Sequence, residues 1–166
     1  MSHVRIAKPG LADYLAVMSR AVFQAGLSWA AIDRQWDALC KAFDEFDVKK
    51  VARYRNADIK RIMAAPGILH SKRKIEATVK NAATILALDK EFKGFRKYLR
   101  SLGSYEELTS DLKRRFKFVG DISAYYFLYR VGEPVPPFNR WIKTAEGDHP
   151  RIREMVAKKS AKTRKK

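Results

Sequence analysis

A chain of 166 residues that is 46% hydrophobic and 11% aromatic has enough apolar material to bury one core, which excludes a wholly disordered protein. Its 35 Lys and Arg against 18 Asp and Glu leave a formal charge of +17, and the basic stretch 158–166 accounts for only six of those charges, so +11 remains on residues 1–157. A polyanionic partner is the simplest explanation, and the absence of a long apolar run or a basic helix with an aromatic insertion face favours nucleic acid over a membrane surface.

A single cysteine, Cys40, excludes an internal disulfide and points to the cytoplasm; with three scattered histidines there is no metal-ligand spacing, so no metal and no cofactor are expected. The organisation expected is one helical domain over residues 1–157 followed by a basic, disordered tail over 158–166, with no obligate protein partner.

Apolar residues recur at three- and four-residue intervals from Gly10 to Ala25 (Leu11, Tyr14, Leu15, Val17, Met18, Val22, Phe23), which predicts a core helix. Gly26 then allows a turn and Ser28 a cap for a second helix, Trp29 to Phe43, with Trp29, Ile32, Trp36, Leu39 and Phe43 inward. Asp47 caps a short helix through Val48, Val51 and Tyr54, and Asn56 or Asp58 caps another that Pro66-Gly67 stops. A long helix is expected from Ser71 to Leu88 with Ile75, Val79, Ala82, Ala83, Ile85 and Leu86 inward. Phe92 to Leu99 suggests a further helical element, and Ser104-Tyr105-Glu106-Glu107 reads as a capping box. The basic run Lys113 to Lys117 leads through Val119-Gly120 into an apolar helix, Asp121 to Val131, halted by Gly132 and three prolines. No period-two strand pattern appears, so the fold class is all-α.

Three stretches resemble the 3-methyladenine DNA glycosylase I family of the helix-hairpin-helix superfamily. They are Gln24-Ala25-Gly26-Leu27-Ser28-Trp29 with its continuation to Ala52, Gly67-Ile68-Leu69-His70-Ser71-Lys72-Arg73-Lys74 with its continuation to Ala82, and Phe116-Lys117-Phe118-Val119-Gly120. They keep the family's order and approximate spacing over about residues 10–133. The resemblance implies a monofunctional N-glycosylase of base-excision repair that removes an alkylated purine such as 3-methyladenine from double-stranded DNA. It implies that Trp29 stacks on the extruded base, although a large aromatic at this place also serves as plain core. Gln24 either meets a base edge or satisfies nearby backbone groups. Lys72, Arg73, Lys74, Arg115 and Lys117 are expected to meet phosphates around the hairpin.

The sequence also departs from that family. Its zinc ligands and N-terminal tyrosines have no counterparts, and Ala21 stands where the family carries the glutamate that recognises the methylated adenine. Losing such a carboxylate removes on the order of 1–3 kcal/mol of base discrimination. The catalytic group is undetermined, with Asn139 and Asp121 as candidates and Glu133 a third by proximity. A catalytically impaired DNA-binding relative is the alternative function, and an RNA-binding protein a third that draws on charge alone.

Overall fold

In the computed structural model the described residues are 4–144 apart from residue 69; the tail over 158–166 lies outside them. Among the described residues every regular element is helical, as the absence of strand periodicity requires. They fall into two compact units that divide after Pro134.

The first unit carries eight of the helices: α1 (Leu11–Gln24), α2 (Trp29–Ala42), α3 (Val48–Val51), α4 (Asn56–Ala64), α5 (Lys72–Phe92), α6 (Phe95–Leu99), α7 (Tyr105–Arg115) and α8 (Asp121–Arg130). Helix α1 is central, packing against α2, α5 and α8 through Tyr14, Leu15, Met18, Val22 and Phe23, all buried. Side-chain caps set four of the helix starts. Ser28 accepts from the Ala31 amide, Asp47 from Lys50, Ser71 from Lys74 and Ser104 from Glu107, each meeting an amide that has no partner within its helix. At Ser104 the expected capping box is altered, since the Glu107 carboxylate accepts from the Gly103 amide one residue upstream.

Between α2 and α3 the backbone does something that periodicity does not foretell. Asp44, Glu45 and Phe46 take φ values of 51°, 55° and 56°, a single left-handed turn of three non-glycine residues. Left-handed backbone costs roughly 1–2 kcal/mol per residue. What offsets it is aromatic packing: Phe46 stacks on Phe43 at 5.4 Å and on Trp36 at 5.4 Å, and Phe43 also meets the rings of Phe23 and Tyr54. The Tyr54 hydroxyl donates to Asp44, fastening the start of the turn.

Helix α5 runs to Phe92, four residues past its expected end, and stops where Lys93 turns left-handed and the Gly94 amide bonds back to Asp89. Its inner face is also rotated from expectation. Thr78 and Asn81 are buried, whereas Ala83 is exposed and Val79 and Leu86 are half-buried. The Thr78 hydroxyl donates to the Lys74 carbonyl of its own helix. Asn81 reaches a neighbouring loop, which matters for the site.

The second unit, from Val135, contains the short helix α9 (Phe138–Trp141), which the proline-rich sequence concealed; the rings of Phe138 and Trp141 lie 6.2 Å apart within it.

Candidate nucleic-acid interface and base site

The segment between α4 and α5 is a tight hairpin. Gly67 has φ 80°, Ile68 is buried, and the His70 ring bonds the Ala65 carbonyl at 2.7 Å. It ends at the amino end of α5, a helix of 21 residues, where uncapped amides and the helix dipole attract anions.

The three basic residues that open α5 have separate positions. Lys72 is exposed and only loosely paired with Glu76, at 3.9 Å. Arg73 lies over the Phe118 ring, 5.5 Å from its centre. Lys74, expected at a phosphate, instead turns inward, and its ammonium donates to the carbonyls of Phe23 and Ala25 at 3.3 and 2.5 Å. The physical reason is that the last carbonyls of α1 lack helical partners and sit at its negative end, so a lysine within reach satisfies both conditions. The bond ties the hairpin to the turn that precedes Trp29.

Facing Arg73 is the loop that follows α7. Phe116 is buried and anchors it, while Phe118, at φ 58°, turns its ring outward and is 43% exposed. Asn81 holds the loop from α5: its amide oxygen accepts from the Lys117 N–H at 2.8 Å and its amide nitrogen donates to the Lys117 carbonyl at 3.2 Å. Between helix and loop lies an open groove of about 290 Å³, lined by Arg73, Glu76, Ala77, Lys80, Lys117 and Phe118. Three cations against one carboxylate, with an aromatic ring at the edge, suit a phosphate backbone.

Arg115 does not join this groove. Its guanidinium bonds Asp111 at 2.7 Å and lies over Tyr98, and the adjacent carboxylate holds its pKa above the ordinary arginine value. The charge is spent within the fold.

Trp29 is the first residue of α2, fixed there by the Ser28 cap, and it is half-buried. Its ring meets Tyr126 of α8 at 5.4 Å between centres with the planes inclined by 46°. Gln24, at the end of α1, is 7% exposed, and its carbonyl accepts from Leu27 in the intervening turn. Trp36 is half-buried, drawn aside by the Phe46 stack and by the Arg20 guanidinium 4.9 Å from its ring centre. Arg20 pairs with Asp33; burial lowers its pKa, partly countered by Tyr126. Tyr126 was not legible as a site residue, because aromatic and apolar residues follow one another without a break from Ala124 to Tyr129 and give no face to read.

The candidate carboxylates Asp121 and Glu133 are already engaged. Asp121, at the start of α8, pairs with Lys113 at 2.5 Å. Glu133 is 1% exposed, not at the surface, and pairs with Arg96 at 3.4 Å and Arg100 at 3.0 Å. Asn139 is exposed on α9 in the second unit. Among the described residues no group of three or more His, Cys, Asp or Glu is placed to hold a metal ion, and no helix is long and apolar enough to cross a membrane.

A glycine-turned hairpin opening a long basic-ended helix, beside an aromatic residue displayed at a helix start, defines a helix-hairpin-helix protein built to hold nucleic acid. The methyladenine glycosylase family model matches residues 13–114, and the chain belongs to that family. It is 29% identical over 130 residues to the DNA-3-methyladenine glycosylase of Haemophilus influenzae and 28% identical over 130 residues to DNA-3-methyladenine glycosylase 1 of Escherichia coli, in each case across 66% of this chain and 70% of the relative. Among solved structures, 3-methyladenine DNA glycosylase I from Staphylococcus aureus superposes with a TM-score of 0.67 at 28% identity, covering 77% of this chain and 78% of that one. A variant of 3-methyladenine DNA glycosylase I in complex with 3-methyladenine matches with the same TM-score and identity, over 75% and 78% of the two chains.

The two lysine positions at the start of α5 separate cleanly in a salt titration. Each phosphate contact contributes about 0.9 to the slope of log K against log salt for duplex DNA, so Lys72→Ala with Lys117→Ala is expected to flatten it by about 1.8. Lys74→Met is expected to leave the slope unchanged and to lower stability by about 1–2 kcal/mol through its lost charged hydrogen bonds. A slope altered by Lys74→Met alone would place that lysine on DNA.

Proposed function

We propose that the protein is a monofunctional base-excision N-glycosylase that removes alkylated purines such as 3-methyladenine from double-stranded DNA. The observation that carries this reading is Trp29, half-buried at the head of α2 and joined through the Phe23–Ala25 carbonyls and Lys74 to a basic hairpin. A base lifted from the stack would find an aromatic surface there, while the exposed Lys72, Arg73 and Lys117 hold the backbone.

The engaged carboxylates fit this substrate class. An N3-alkylated purine in DNA carries positive charge, so breaking its bond to the sugar returns the electron pair to the ring and releases a neutral base. Water then adds to the sugar carbon and loses a proton to solvent. A cationic leaving group lowers the need for a strong general base, and binding with water exclusion supplies much of the acceleration.

Two observations favour a second reading, that of a DNA-binding relative without catalysis: Ala21 offers no carboxylate to the base, and Asp121 and Glu133 are both paired. Incubation with methylated duplex DNA, followed by chromatography of the released bases and alkaline cleavage of abasic sites, distinguishes the two. Release of 3-methyladenine with matching strand cleavage is expected. Tight, salt-sensitive binding with no released base would leave only the second reading.

A further inference from the structure

The aromatic surface beside Trp29 is already in use. Tyr126, on the second turn of α8, is 8% exposed and lays its ring against the indole. Its hydroxyl accepts from Arg130 Nη1 at 2.9 Å, and the same arginine donates from Nε to the Val4 carbonyl at 2.8 Å. The ring is therefore held at both ends, by an inclined ring contact with the indole and by a tether one helical turn away. Aromatic pairs of this kind gain from both burial and ring electrostatics. An extruded base seeking the same indole competes with the protein's own side chain.

We propose that Tyr126 is the gate of the base site: its ring stands in for a base on Trp29 while DNA is absent, and a base is admitted only when that ring swings away and its hydroxyl leaves Arg130. The proposal rests on the base-excision reading of this site. The displacement cost is the same for every ligand, so it does not alter their relative affinities. It does reduce the occupancy of weak ligands while a strongly stacking one still fills the site, because apparent affinity falls with the fraction of open molecules. An alkylated purine in DNA, being cationic, stacks on an indole more strongly than a neutral base does. With Ala21 unable to select by charge, the gate keeps ordinary purines out by making weak stacking insufficient.

The test compares the unaltered full-length protein, Tyr126→Ala and Tyr126→Phe by calorimetric titration with neutral adenine and with a dimethylated adeninium cation. If the open form is about a tenth of the population, Tyr126→Ala binds both ligands about tenfold more tightly and by a common factor. Tyr126→Phe keeps the ring but loses the tether, and its gain is smaller in the same direction. It decides the matter alone should the alanine variant fail to fold, as judged by circular dichroism. Weaker binding by the variants would make Tyr126 a fixed wall that stacks on the base, and unchanged or undetected binding would show that it guards nothing; either result overturns the gate. The glycosylase reading is judged separately, by whether the unaltered protein releases base from methylated DNA.

Discussion

Trp29→Ala is expected to abolish detectable base release from methylated DNA while leaving the salt dependence of DNA binding nearly unchanged. The indole sits at the start of α2, and the cap that fixes it is made by the Ser28 side chain, so truncation leaves the helix start intact. Stacking on an extruded base contributes about 1–3 kcal/mol, a factor of roughly 5 to 160 in base affinity, and loss of alignment at the sugar multiplies the effect on rate. The phosphate contacts proposed for Lys72, Arg73 and Lys117 lie elsewhere and do not depend on the ring. Single-turnover release of 3-methyladenine, measured beside a salt titration of duplex binding, checks both halves. Base release within about twofold of the unaltered protein would remove Trp29 from the base site.

The largest expected effect on stability falls on Phe43. Its ring is wholly buried, stacked on Phe46 and Tyr54 and edge-on to Phe23, so Phe43→Ala leaves a cavity that three neighbouring rings cannot readily close. A loss of about 3–5 kcal/mol is expected from the transfer and cavity contributions together. The left-handed turn at Asp44–Phe46 adds to this, since Phe43 supplies one face of the stack that offsets its backbone strain. Urea unfolding followed by far-ultraviolet circular dichroism measures the change. A loss below about 1 kcal/mol would mean that the turn is held by the Asp44–Tyr54 and Arg61 contacts instead. Small domains are stable by about 5–15 kcal/mol, so this one ring carries a substantial share.

Much of the helical scaffold was legible because its signals are local. The starts of α2, α3, α5 and α7 coincide with Ser28, Asp47, Ser71 and Ser104, each of which bonds an amide three residues on. The face of α5 differs from its apolar pattern for another reason. Counting apolar residues put Val79 and Ala83 inside, whereas the buried positions include Thr78 and Asn81, whose polar atoms find partners only once the chain is folded. The left-handed turn leaves no signal in the sequence because none of its residues is glycine, and its stabilisation comes from ring stacking between segments. At the interface, residue type alone could not separate Lys72, which faces solvent, from Lys74, which closes the end of α1, or reveal that Asp111 engages Arg115. The family's hairpin and tryptophan motif were readable; the Tyr126 partner of that tryptophan was not.

The pair of hydrogen bonds between the Asn81 side chain and the Lys117 backbone sets the loop before association begins. Because a buried side chain of α5 fixes both backbone groups of that loop residue, Phe118 and Lys117 keep their spacing from Arg73 before any nucleic acid arrives. Little conformational entropy is left to be lost there on encounter, and the loop has no folding step that must precede contact. If nucleic acid docks on this cationic edge, capture is expected to be limited by diffusion and long-range attraction, with an on-rate that falls steeply as counterions screen the edge.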